Sequence, residues 1–226
     1  MPKLLPFSPA QQRLLERFEQ AGGVVEFILC QSTTPHLIES HREAVRLAFL
    51  ELEDRDERWA QQVAQERKIP RRRLFDIHYE AAAIEGLNPT SITVEQLLGN
   101  RYDLARRELI VYGKGEYRNR FFYAHAEPKP ANILPQIDGG ISEGLAYAMS
   151  SPPYPLDATP EEVDRMLQSM LHGLLNDLAD DPLLLRWPTD WCNYFDAGNE
   201  WWGSFLWSVG VPAWQQIVVM AASSSD

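Results

Sequence analysis

Cysteine is scarce in this chain of 226 residues: only Cys30 and Cys192 occur, far apart and without CxxC spacing. They read as two buried free thiols in a reducing compartment, not as a disulfide framework. Long apolar runs are missing as well. No stretch of ~18 apolar residues escapes interruption by charge, which argues against a membrane span. The N-terminus, Met1-Pro2-Lys3-Leu4-Leu5-Pro6-Phe7, lacks the apolar core of a signal peptide. A soluble cytoplasmic protein is therefore expected. The five histidines, His36, His41, His78, His125 and His172, show no HxH, HExxH or Cys/His spacing, so no metal site is expected. The chain also contains no GxGxxG, GxxxxGK[ST] or GxSxG, which removes the usual dinucleotide, P-loop and hydrolase-elbow readings and leaves no cofactor expected.

Basic residues are the other shortage, and it is local. The formal net charge is −11, yet residues 1–120 hold 18 Lys/Arg against 18 Asp/Glu, whereas residues 121–226 hold 3 against 14. A surface of that sign repels phosphate backbones and anionic lipid and attracts a basic protein or a cationic ligand. Nucleic acid is thus an unlikely partner for the C-terminal half. The one dense basic run, Lys68 to Arg73 interrupted by Ile69-Pro70, reads as cations at a helix C-terminus facing the acidic run Glu51 to Glu57.

What is present is ordinary globular composition, 45% hydrophobic and 23% charged. Ser8-Pro9-Ala10-Gln11 and Thr159-Pro160-Glu161-Glu162 are capping boxes, the first opening a helix closed by Gly22-Gly23 and the second one running through Leu178. Val24 to Cys30 reads as a buried strand. A helical period holds from Thr34 to about Lys68, as one long helix or two broken near Asp54 to Asp56, and a further helix is expected over Arg71–Glu85 with Leu74, Ile77, His78, Ala81 and Ile84 near one stripe. Thr93 opens a short helix closed by Gly99, and Leu109–Tyr112 with Arg120–Ala124 reads as a hairpin or wide loop. Trp201–Val209 and Trp214–Ala222 are read as the two strands of a hairpin, the second apolar on both faces and so central in a sheet. The fold expected is α+β, a helical N-terminal portion packed on a mostly antiparallel sheet centred on that hairpin. It spans residues 1–226 as a single domain, with possible lobes at 1–127 and 141–226 joined by the Pro/Gly-rich stretch 128–140.

Six of the seven tryptophans fall between Trp187 and Trp214, interleaved with Asp190, Asn193, Tyr194, Asp196, Asn199 and Glu200. If Trp201–Val209 is a strand, one face carries Trp201, Gly203, Phe205 and Trp207, an aromatic platform for a ring or a sugar. The competing reading places these rings in the core. Candidate binding residues are Asp190, Tyr194, Asp196, Glu200, Trp201 and Trp202, and the weak catalytic candidates are Asp190, Asp196 and Glu200, since two-carboxylate hydrolysis needs a proton donor and a base. Tyr79 to Asn88 is similar to the inhibitory helix of Fic-type AMP-transferases, with Ala81 where that helix carries Ser or Thr. The chain has no HxFx-Asp/Glu-GNxR loop, so the likeness stays confined to those residues and carries no expectation of activity.

Charge and composition together favour a non-enzymatic acidic binding protein, an immunity-type or antitoxin-type inhibitor of a basic protein partner. A small hydrolase of sugar or nucleotide derivatives, using the acids beside the tryptophans, is the alternative enzyme reading. A ligand-sensing regulatory domain is a third. Oligomeric state is left open by the sequence.

Overall fold

Ser8 accepts a hydrogen bond from the Gln11 backbone and the Gln11 side chain returns one, so the first helix, α1 (Pro9–Gln20), starts where the sequence places it. The same reciprocal box at Thr93/Gln96 and Thr159/Glu162 opens α4 (Val94–Leu98) and α6 (Pro160–Leu175). The computed structural model describes residues 1–71, 77–135 and 143–224. In chain order the remaining elements are β1 (Lys3–Leu4), β2 (Val25–Gln31), α2 (Ile38–Arg67), α3 (Ala81–Gly86), β3 (Thr90–Ser91), β4 (Tyr102–Asp103), β5 (Glu108–Tyr112), β6 (Phe121–Tyr123), α5 (Leu145–Ser150), β7 (Leu184–Arg186), α7 (Asp196–Trp201), β8 (Phe205–Val211) and β9 (Gln216–Ala222).

The fold is α+β, as expected. A six-stranded antiparallel sheet runs β1-β2-β9-β8-β7-β3, with the β8–β9 hairpin near its middle, and a separate three-stranded sheet runs β4-β5-β6. Strands from both ends of the chain therefore meet, because β2 pairs with β9 over its whole length, Val25 opposite Ala222 through Gln31 opposite Gln216. Helices cover both faces. Odd-numbered β2 residues Val25, Phe27 and Leu29, with Val218 and Met220 of β9, join the core under α1, α5 and α6. Ile28 and Cys30, with Ile217 and Val219, join a second core under α2 and α3. Two-sided cover is what the uninterrupted apolar run of β9 requires.

Three sequence readings are corrected. The hairpin's first strand begins at Phe205, not Trp201, because Asp196–Trp201 forms α7 and Gly203, at φ 127°, turns the chain into β8. The connection is also displaced: Gly210 and Val211 still belong to β8, and Pro212–Trp214 makes a turn of 3-10 helix. Of the helix expected over Arg71–Glu85, the described residues from Ile77 onward hold only α3. Ile77 and His78 are not helical, and Tyr79 makes a bridge with Cys192. The cause is tertiary: Asn193 Oδ1 accepts the His78 N–H at 2.7 Å, pulling this segment straight against the loop that follows β7. Leu74 of that reading lies outside the described residues. The period from Thr34 resolves as one helix of 30 residues, closed at Lys68 in the left-handed conformation. No helix among the described residues is long and apolar enough to cross a membrane.

Candidate functional site

The tryptophans divide between core and surface. Trp187, Trp202 and Trp207 are buried, whereas Trp201 keeps 54% of its surface exposed. Trp202 caps α7 and packs edge-on against Phe205, its indole N–H donating to the Ser151 carbonyl at 2.6 Å. The continuous aromatic strand face is therefore replaced by a stacked Phe205–Trp207 pair, 5.1 Å between centroids, with Trp202 beside it in the core. Asp190, Asp196 and Glu200 are all exposed. Among the described residues no hydrogen bond or ion pair joins any two of them, and none lines a cavity described below.

Tyr194 is different, because it lies at a concavity built by residues from four distant parts of the chain. Phe49 of α2 sits in a nest of rings, with Trp191 at 4.7 Å, Tyr194 and Phe195 at 5.7 Å and Tyr79 at 5.9 Å, most of them edge to face. That nest fixes the segment after β7 and the Ile77–Tyr79 segment against α2. Beside it opens a cavity of about 380 Å³ lined by Glu19, Glu26, Leu52, Arg55, Asp56, Trp59, Ile77 and Tyr194. A shallower concavity of about 640 Å³, walled by Glu53, His78, Tyr79, Glu80 and Trp191, shares Ile77 with it.

Arg55 is the electrostatic hub. Its Nη1 donates to Glu26 Oε2 and its Nε to Glu51 Oε1, both at 3.0 Å, and its Nη2 to the Phe27 carbonyl at 3.3 Å. Burial pushes the Glu26 carboxyl up; the Arg55 guanidinium opposes that and Glu19 adds to it. The Tyr194 phenol is pushed up by burial, with Glu26 contributing in the same direction. Glu19, Glu26, Glu53, Asp56 and Glu80 thus stand in these walls against Arg55 and His78. Carboxylates beside exposed rings such as Trp59, 43% exposed, suit a cationic group, which gains from both the charge and the ring faces.

Both halves hold paired and unpaired acids, but cations are few in the second. Several acids of α2 are paired, Glu43 with Arg46, Glu51 with Arg55 and Arg58, Asp54 with Arg58 and Glu57 with Arg71, whereas Glu53 and Glu66 there, and Glu80, Glu85, Glu95 and Glu116 after it, make no ion pair among the described residues. Arg71 thus places one cation of the basic run on the acidic run. In the C-terminal half Asp177 is held by Arg107 and His172, and its carboxyl is pushed down, first by the His172 hydrogen bond. Glu143, Asp157, Asp181, Asp190, Asp196 and Glu200, all exposed, make no ion pair among the described residues.

Acid–base chemistry finds little support. A hydrogen bond of 2.7 Å joins His41 Nδ1 and Ser208 Oγ, but both residues are completely buried, so the pair has no substrate access. Asp164, also buried, accepts the Leu109 N–H at 2.8 Å and contacts His125 Nε2 at 3.0 Å, which ties β5 to α6. Burial pushes the Cys30 thiol up to about 12 and the Cys192 thiol up to about 11, the opposite of an activated nucleophile. Among the described residues no group of three or more His, Cys, Asp or Glu is placed to hold a metal ion. Comparison of the chain with known protein families, with curated proteins and with solved structures finds no match in any of the three.

Proposed function

We propose that the chain is a non-enzymatic binding protein that takes a basic protein partner, acting on it as an immunity-type or antitoxin-type inhibitor. The observation that carries this reading is the acidic C-terminal half, residues 121–226, with 3 Lys/Arg against 14 Asp/Glu. Asp181, Asp190, Asp196 and Glu200 stand exposed there without an ion pair among the described residues, in a half with few cations to pair them. Unmatched surface charge lowers stability slightly through self-repulsion and accelerates encounter with an oppositely charged partner. The acid-lined, ring-walled concavity beside α2 adds a place where a cationic side chain can be desolvated.

The hydrolase alternative needs Asp190, Asp196 and Glu200 around one pocket, and none of these exposed residues lines the two concavities beside α2. The inhibitor reading is tested by cross-linking in the native host, recovery of the retained partner, and titration of its activity with the purified chain. A basic partner whose activity falls to the background at one equivalent is the expected result. Retention of no basic protein, or a partner whose activity is untouched at saturation, overturns the reading.

A further inference from the structure

The outer edge of β2 is longer than the strand that covers it. β1 pairs through Lys3 and Leu4 only, the last cross-strand bond runs from the Leu5 N–H to the Leu29 carbonyl at 2.8 Å, and Pro6, with no N–H, turns the chain away. In an antiparallel strand, main-chain groups of alternate residues point to alternate neighbours. Since Leu29 faces β1, so do Phe27 and Val25, while Glu26, Ile28 and Cys30 face β9. Val25 and Phe27 therefore present main-chain groups to an edge that no strand of the described residues occupies.

A side chain lies there instead. Arg55 reaches from α2 to the Phe27 carbonyl while holding Glu26 and Glu51, and the side chains of Val25 and Phe27 are buried in the core beneath α1 and α6. Three separate concavities, of about 380, 400 and 110 Å³, all count Arg55 in their walls. Their acidic wall residues are Glu16, Glu19, Glu26, Glu51 and Asp56, and Arg55 is the cation common to all three. The smallest of the three also shares Phe7 and Gln12 with one neighbour and Glu19 and Glu26 with the other, so they adjoin along the edge of β2.

We propose that this edge seats an extended, arginine-bearing segment of the partner, whose main chain pairs with Val25 and Phe27 and whose guanidinium replaces that of Arg55 between Glu26 and Glu51. The proposal rests on the basic-partner reading and specifies its mode, strand addition, in which main-chain bonds give affinity and alternate side chains give choice of partner. Charge complementarity selects this occupant. A second copy of the chain would bring its own Arg55 and its own acids to the same place.

The probe is a short blocked peptide alternating arginine and valine, added to the full-length isotope-labelled chain, with its N-methylated analogue as a control that cannot pair. The expected result is slowing of Val25 and Phe27 amide exchange by at least about tenfold with the first peptide and not the second. Arg55→Ala, or Arg55→Gln if the alanine variant folds poorly, removes the internal competitor and should tighten peptide binding several-fold. Peptide binding that leaves both amides unchanged overturns strand addition, as does weaker binding by the Arg55 variants or their self-association in place of binding. A native partner that binds while these amides stay unchanged removes this mode alone and leaves the basic-partner reading standing.

Discussion

Val218→Asp is expected to abolish the cooperative unfolding transition, leaving a chain without native circular dichroism or one that is lost to inclusion bodies. Val218 has no solvent exposure, lies opposite Leu29 of β2 and Val209 of β8, and faces the core beneath α6. An uncompensated carboxylate there costs several kcal/mol, against a total stability of roughly 5 to 15 kcal/mol. Protonation relieves the charge only by leaving an unsatisfied polar group in the same place. Far-ultraviolet thermal melts of the wild type and the variant decide the matter. A soluble variant with an unchanged Tm would mean that β9 is not central to the sheet.

The second large effect is acid destabilisation through His41. The Trp187 indole N–H donates to Ser208 Oγ at 2.8 Å, Ser208 Oγ lies 2.7 Å from His41 Nδ1, and His41 Nε2 lies 2.8 Å from the Pro35 carbonyl. A carbonyl only accepts, so Nε2 carries the proton and Nδ1 accepts from the serine hydroxyl. A Cβ on Gly210 would run into that same Pro35 carbonyl, so the glycine lets the loop come close enough to receive the bond. Burial lowers His41 from its ordinary 6.5 to about 4, against the opposing pull of the Pro35 carbonyl.

Between those two values the unfolded chain binds a proton that the folded chain refuses, so stability present above pH 6.5 is lost as pH falls toward 4. The expected loss is about 3 kcal/mol at roughly 1.4 kcal/mol per pH unit. Urea midpoints across that interval test it for the wild type and for His41→Gln. The variant should be less stable at neutral pH yet show a flatter pH dependence. An equal slope in both proteins would assign the acid sensitivity to other groups.

Local signals are legible in the sequence where the rule closes within a few residues. Ser8, Thr93 and Thr159 each carry both partners of a capping box within four residues, and all three open helices. The apolar runs of β2 and β9 were legible because two-sided burial leaves no polar alternation to misread. Trp201–Trp207 was misread for the complementary reason. The segment is rich in the aromatic residues that favour strands, and α7 has neither a side-chain cap nor a stripe long enough to announce it. α5 is mostly buried and shows no amphipathic period, while β1, β3 and β7 are only two or three residues long.

The site was legible only in part. Tyr194 was among the candidates, but Glu26, Arg55 and Trp59, which meet it in one cavity, belong to the opposite end of the chain. His41 and Ser208 are likewise 167 residues apart, so no spacing rule reaches them. Net charge was visible in the sequence, whereas its pairing was not. Asp177, counted with the other acids, turns out to be engaged by Arg107 and His172, and it therefore serves as a control for the unpaired set.

The most direct measurement is the association rate of the recovered partner as a function of ionic strength. It is made on the wild type, on a variant carrying Asp181→Asn, Asp190→Asn, Asp196→Asn and Glu200→Gln together, and on Asp177→Asn. Steering by unpaired acids predicts a wild-type rate that falls steeply with salt, and a fourfold variant that folds normally but associates on the order of tenfold more slowly at low salt with a flatter salt dependence. The Asp177→Asn rate should stay near wild type, because that charge is already neutralised within the fold. A wild-type rate indifferent to salt, or a fourfold variant that associates as fast as the wild type, would contradict the account.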